Sequence, residues 1–368
     1  MFSFNKKNFK KFDFILLATV IILSLIGLLL INSATINTGS NQLVKTQAIA
    51  MVIGLISIVI LSLIDYQFLG KLYIPIYIVC NLILIVVAIW GFGEDDWGAR
   101  SWIQVGGVSF QPSEFVKLGL IISIAKFIDN HKETINSIVT LFKLLLFAAP
   151  PLLLILRQPD LGTALVIVFF IAVMLFSSGL KLRYIGYSIL AGLAAIPIIW
   201  FNLGEYQKKR VFDFLDPERD LSGSGYQVVQ SKIAIGSGKI FGRGLYQGVQ
   251  TQLNFIPEKQ TDFIFPVLVE EFGFLGGITL LSLYLVFLHR MVKIAKNTRD
   301  VFGSTMVTGI AGMFLFHIGE NIAMTMGLMP VTGIPLPFLS HGGTFLVINM
   351  MAIGIVLSVA MEREGLNF

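Results

Sequence analysis

Asp262 closes the polar half of FIPEKQTDFIF, residues 255–265, and an apolar run to about Leu288 follows it. An ionisable side chain at such a boundary is expensive to keep and is a functional candidate by default. Partial desolvation of its charged form raises its affinity for a proton, which suits a general base. Candidate cations stand in neighbouring stretches: Lys208, Lys209 and Arg210 in YQKKR, Arg100 in WGARSW, and Lys117 in QPSEFVKL. One base and several cations suit transfer from a diphosphate, which leaves as a stable anion and needs charge stabilisation but no acid. Glycoside hydrolysis, in contrast, normally uses two carboxylates. A substrate with a lipid tail, a diphosphate at headgroup level and a sugar above it would meet these residues. Their types alone do not select glycosyl transfer.

Other polar residues carry two readings each. Glu114 and Lys117, three apart on a helix opened by Pro112, share a face, and form either a structural ion pair or part of a substrate site. Asp160 in QPDLGTAL either complements a helix dipole or faces substrate. Glu270 lies about a quarter turn from Asp262 and could reach the same cavity, whereas Glu271 points away. Asp262 and Glu270 could also hold a divalent cation, Mg²⁺ or Mn²⁺, beside a diphosphate. His317 and Glu320 read as a proton relay or, preferably, as a buried polar pair. Trp97 and Trp102 read as interfacial anchors. GSGKIFGRG (236–244) fails the phosphate-loop template, because Ile233 replaces its first glycine and Ile240 follows Lys239 where Ser or Thr is required.

The elements that must position these residues are membrane helices. The chain has 368 residues, 55% hydrophobic and only 13% charged, against roughly 25% charged in a soluble domain. Its mean hydropathy is +0.81. Such a chain has lipid as its solvent and must satisfy its own backbone. Ten non-alternating apolar runs, 14–32, 44–64, 72–91, 113–128, 140–156, 160–178, 183–201, 263–288, 303–327 and 343–361, predict an all-α polytopic bundle of about ten transmembrane helices. It forms a single domain over 1–368, with a long loop at 202–262. The basic start KKNFKK reads as a retained signal anchor. The lone Cys80 sits in an apolar run and reads as core.

With both termini in the cytoplasm, the inner segments hold fifteen basic residues and the short outer loops three, Lys45, Arg100 and Arg157. The pI of 9.2 therefore reflects topology and gives no support to nucleic-acid binding. Residues 202–262 then lie outside, and the proline-rich MPVTGIPLPFLSHGG (329–343) reads as a further outer connection. Apolar positions 228, 229, 233 and 235 predict a short amphipathic helix at the membrane surface. Ser304, Thr308 and Gly312 make a small-residue stripe that either accepts a partner's helix or packs within the bundle.

SGYQVVQSKIAIGSGKIFGRG, FIPEKQTDFIF with VEEFGFLG, QPSEFVKL, QPDLGTAL and MPVTGIPLPFLS together resemble the SEDS family (shape, elongation, division and sporulation), across nearly the whole chain. TQLNFIPE and the short N-terminus resemble its rod-shape branch more than its division branch. The resemblance implies a peptidoglycan glycosyltransferase that polymerises lipid II, donor and acceptor alike, outside the bacterial cytoplasmic membrane. It makes Asp262 the catalytic residue and carries Glu114 and Lys117 over from the family's motif. It implies a class B penicillin-binding protein, a transpeptidase anchored by one helix, as partner. Gln260, Pro266 and His341 depart from the family pattern. Two other functions stay open, a lipid II flippase and a noncatalytic scaffold. A flippase calls for a polar pathway and symmetric halves, neither of which is evident, and a scaffold needs no carboxylate facing a cationic loop.

Overall fold

The computed structural model describes residues 11–38, 41–93, 101–105, 108–202, 204–217, 220 and 223–362. In chain order the helices are α1 (Phe14–Thr35), α2 (Gln42–Leu63), the short α3 (Tyr66–Lys71), α4 (Tyr73–Trp90), α5 (Pro112–Asn130), α6 (Ile138–Arg157), α7 (Leu161–Ser177) and α8 (Leu182–Asn202). The long loop carries α9 (Glu205–Leu215), α10 (Ser224–Ser237) and the single turn α11 (Val249–Gln252). Then come α12 (Ile264–Asn297), α13 (Val301–Thr325) and α14 (Gly343–Glu362). A small antiparallel hairpin, β1 (Ile103–Val105) and β2 (Val108–Phe110), leads into α5.

All ten predicted runs are helices, and seven described helices are long and apolar enough to cross a membrane: α1, α2, α4, α6, α12, α13 and α14. The helix α5 carries Glu114, Lys117, Lys126 and Asp129, yet it runs through the interior, touching α4, α7, α13 and α14. Protein surrounds its first turns, so Glu114 and Lys117 are buried, while Lys126 and Asp129 pair with each other at 2.6 Å near its other end. Aspartates set several helix starts by accepting backbone N–H bonds: Asp13 from Leu16 (3.0 Å) and Asp300 from Gly303 (2.7 Å). At the same end of the bundle Arg290 grips Asp13 through Nε and Nη2, the shortest contact being 2.6 Å. Gly312 of the small-residue stripe faces Val173 and Phe170 of α7, so at that position the stripe packs within the bundle.

Helix α12 is broken at Gly273, where φ is 68° and ψ −165°. The glycine-rich loop repairs the break. Arg243 N and Gly244 N donate to the carbonyls of Glu270 (2.9 Å) and Glu271 (3.0 Å), while Phe274 N and Leu275 N donate to Lys239 O (2.8 Å) and Ile240 O (3.1 Å). Irregular backbone inside a membrane protein persists only when its polar groups are satisfied this way. A Cβ on Gly273 would collide with Gly242 N, while one on Gly236 would meet nothing. Gly273→Ala is therefore expected to lower stability by about 1–3 kcal/mol, from positive φ and overlap together. Gly236→Ala should be neutral. Thermal unfolding in detergent compares the two, and equal melting points would remove the repair role from this loop.

One expectation is corrected here. The predicted outer connection at 329–343 dips into the bundle: a Cβ on Gly27, in the middle of α1, would lie 2.6 Å from Phe338 O. Leu336, Phe338 and Leu339 are buried, Tyr284 Oη donates to Pro337 O at 2.6 Å, and Phe338 (φ 66°) stacks among Phe287 and Phe314. The stiff prolines and apolar side chains of this stretch suit a buried, re-entrant path. The expected short helix is present as α10. Its buried face is Gly225, Val228, Ser231 and Ala234, an i, i+3 stripe of small residues against α12 and α13, while Ile233 stays exposed. Close approach to α12 selects small residues there, and Ser231 Oγ fixes the helix by donating to Thr325 O at 2.6 Å.

Candidate functional site

Asp262 lies in the turn before α12 and is half-buried. Its backbone is fixed from two sides. Asn321 Nδ2 on α13 donates both to Asp262 O (2.8 Å) and to Ile334 O of the re-entrant segment (2.7 Å). Ser340 Oγ donates to Thr261 O (2.6 Å), and His341 N to Gln260 O (2.8 Å). Gly333, at φ 75°, brings bare backbone to the carboxylate, since a Cβ there would stand 3.4 Å from Oδ2. The turn is thus rigid while no hydrogen bond among the described residues engages the Asp262 carboxylate.

Burial pushes the Asp262 carboxyl up to about 7, the Glu258 charge adds to the rise, and the Arg210 guanidinium opposes it. A base titrating there matches neutral operation. Arg210 comes from α9 and is half-buried. Lys208 and Lys209 precede it on the same helix; Lys209 is exposed and reaches the buried Asp220 at 3.6 Å, a long and weak contact.

The remaining candidates divide. Lys117 does not reach an open surface: it is 1% exposed, and its Nζ lies 2.8 Å from both Glu114 Oε1 and His317 Nε2. Because an ammonium only donates, His317 Nε2 must accept. Thus His317 pairs with Lys117 rather than with Glu320, against expectation. Glu320 instead accepts from Thr332 Oγ1 at 2.5 Å. Its other oxygen is buried without a hydrogen-bond partner among the described residues, within electrostatic range of Asp262 and Arg210. Asp160 is the N-cap of α7, accepting from Thr163 N (2.9 Å) and Thr163 Oγ1 (2.8 Å), with Gln111 Nε2 at 3.4 Å. That ties the start of α7 to the start of α5.

Glu270 does not join the Asp262 cavity. It is fully buried and accepts from Gln250 N (2.8 Å), Thr251 N (3.0 Å) and Thr251 Oγ1 (2.7 Å), so it holds α11 in place. Glu271 accepts from Ser33 Oγ and Tyr246 N. Lys259, whose proton affinity burial lowers, donates to Thr251 O and Asn254 Oδ1. These three residues anchor the loop. Both Glu270 oxygens are thus engaged at α11, and among the described residues no three His, Cys, Asp or Glu side chains gather around one point. Burial pushes the His341 imidazole below its ordinary value. Arg100 and Trp97 lie outside the described residues; Trp102 forms a β-bridge with Phe92. Cys80 is buried core, as expected.

Asn321 was not singled out by sequence reasoning, although an asparagine in an apolar helix is itself a signal. Its two acceptors are distant in sequence, so its part in fixing Asp262 needs the fold.

This architecture defines the class: a polytopic helical membrane protein with a polar site where a re-entrant segment and a long loop meet. Residues 12–365 match the model for FtsW, RodA and SpoVE, described as cell cycle protein, and the chain belongs to that family. It is 38% identical over 375 residues to the peptidoglycan glycosyltransferase MrdB of Escherichia coli K12, covering 99% of this chain and 98% of that one. Its fold is similar to a chain in the solved structure of a peptidoglycan synthase complex that coordinates polymerization and crosslinking, with TM-score 0.83, 32% identity, and 96% and 98% of the two chains covered. It is similar also to the crystal structure of the rod shape determining protein RodA of Thermus thermophilus, with TM-score 0.73, 28% identity, and 96% and 98% covered.

Proposed function

We propose that this protein is a peptidoglycan glycosyltransferase. It polymerises lipid II into β-1,4 glycan strands during wall elongation and cell-shape maintenance. One observation carries the reading: a carboxylate with its backbone clamped and its side chain unengaged, titrating near 7, beside Arg210. Asp262 takes the proton from the acceptor sugar's hydroxyl. The hydroxyl oxygen bonds to the donor's anomeric carbon as the carbon–oxygen bond to the diphosphate breaks, and its electron pair leaves with the diphosphate. Configuration inverts at that carbon. The likeness to a chain of a complex that couples polymerization to crosslinking supports a transpeptidase of the class B penicillin-binding type as partner.

The rate should rise with pH and level off above about 7, since the ionised form of Asp262 is the active one. Arg210→Ala removes the charge that favours ionisation, so the midpoint should move upward while use of lipid II weakens. Arg210→Lys should restore the midpoint more fully than lipid II use, because an ammonium lacks the bidentate fork. An Arg210→Ala enzyme with unchanged midpoint and full activity at limiting substrate would remove Arg210 from the site. A reconstituted assay with labelled lipid II tests both points.

The positive-inside pattern supports cytoplasmic termini and an extracytoplasmic Asp262 in the cytoplasmic membrane. Gln247, exposed on the long loop, replaced by cysteine should react with an impermeant maleimide in intact spheroplasts. Reaction only after membrane disruption would reverse the orientation.

A further inference from the structure

A second cation, Lys232, packs against Gly327, one of the residues lining the cleft that holds Arg210. The cleft lies between α9, α10 and the segment after α13, and its lining includes Arg210, Asp213, Ser224, Val228, Gly327 and Val331. Val228 and Lys232 stand one turn apart on α10 and share a face. A Cβ on Gly327, at φ 72°, would lie 3.0 Å from Val228 Cγ1 and 2.5 Å from Lys232 Nζ, and would collide with Lys232 Cε. The Lys232 ammonium is thus folded over Gly327 at the rim of the cleft. Lys232 is exposed, and no carboxylate among the described residues pairs with it. Asp213, the one acidic residue in the lining, is committed to Ser224, accepting from its Oγ at 2.6 Å.

The geometry points to Lys232 as a second cation that acts with Arg210 as a clamp for the diphosphate of a lipid-linked substrate. This rests on the glycosyl-transfer reading and adds to it a residue and a selection rule. Arg210 offers a planar fork that fixes one phosphate, whereas Lys232 offers a point charge on a flexible stem. As the anomeric carbon–oxygen bond breaks, the bond's electron pair passes to the diphosphate and its charge grows. A mobile ammonium can follow that charge, so it stabilises the transition state more than the ground state. One cation suffices for a monophosphate; two select a diphosphate.

The test uses the full-length protein in detergent micelles, with geranylgeranyl diphosphate and geranylgeranyl monophosphate as probes at fixed salt. Lys232→Ala and Lys232→Gln should each bind the diphosphate about tenfold more weakly, the loss of one charge-assisted contact, and the monophosphate less than about threefold more weakly. Lys45→Ala, which removes an exposed cation from α2, should change neither. Inorganic pyrophosphate should displace the lipid diphosphate only at far higher concentration; equal potency would overturn the assignment to a lipid-borne ligand. Wild-type diphosphate binding by both Lys232 variants would overturn the clamp. Wild-type protein that makes no glycan but binds diphosphate through Lys232 keeps the clamp and loses the polymerase reading. Normal glycan synthesis with unchanged KM in Lys232→Ala keeps that reading and loses the clamp.

Discussion

Lys117→Met is expected to cost about 3–5 kcal/mol of stability, the usual penalty for leaving one member of a buried ion pair uncompensated. Lys117 is 1% exposed, and its ammonium donates to Glu114 on its own helix and to His317 on α13. Methionine fills much of the same volume but leaves the Glu114 carboxylate, 5% exposed, without a counter-charge. The damage should spread, because α5 is the interior helix against which α4, α7 and α13 pack. Adding Glu114→Gln to Lys117→Met should recover a large part of the loss, since it removes the stranded charge. Melting points of the single and double variants in detergent measure this. A Lys117→Met protein that melts like wild type yet fails to use lipid II would make Lys117 a substrate contact instead of a structural one.

Much of this was legible in the chain. Ten apolar runs became ten helices because lipid leaves the backbone no other way to satisfy itself. Asp262 could be singled out because a carboxylate at the edge of an apolar run needs a reason to be there. The charged neighbours were harder to sort. Glu114, Lys117, Asp160 and Glu270 all look like site residues from type and spacing. What separates them is the identity of partners far away in sequence, such as His317 for Lys117 and Thr251 for Glu270. The re-entrant path of 329–343 was hidden for a related reason. Its prolines signal a non-helical segment equally well above the membrane and within the bundle, and only the groove beside Gly27 decides between them. The break at Gly273 left one signal, a glycine within a predicted span, but its repair by 239–244 could not be read locally.

Asp262→Asn should lower the polymerisation rate by about 10²- to 10⁴-fold, the usual worth of a positioned general base. Asparagine keeps the size and the backbone bond from Asn321, but it cannot accept the hydroxyl proton. Stability should move the other way. The folded state holds the Asp262 proton up to about 7, whereas an unfolded aspartate releases it near 3.9. Proton binding therefore favours the folded state below the unfolded value, and that advantage is lost as pH rises through about 7. At pH 8 the wild type carries a poorly solvated charge that the asparagine variant lacks, so the variant should melt at the same temperature or higher. Asp262→Glu should recover little activity, because an extra methylene displaces the base by about an ångström.

The most direct measurement places purified wild type and Asp262→Asn, each with its transpeptidase partner, on labelled lipid II at pH 8 and reads product length on a gel. Glycan ladders are expected from the wild type. The variant should give at most trace product while binding lipid II with near-normal affinity and melting no lower than wild type. Near-normal ladders from Asp262→Asn would contradict the assignment of Asp262 as the base.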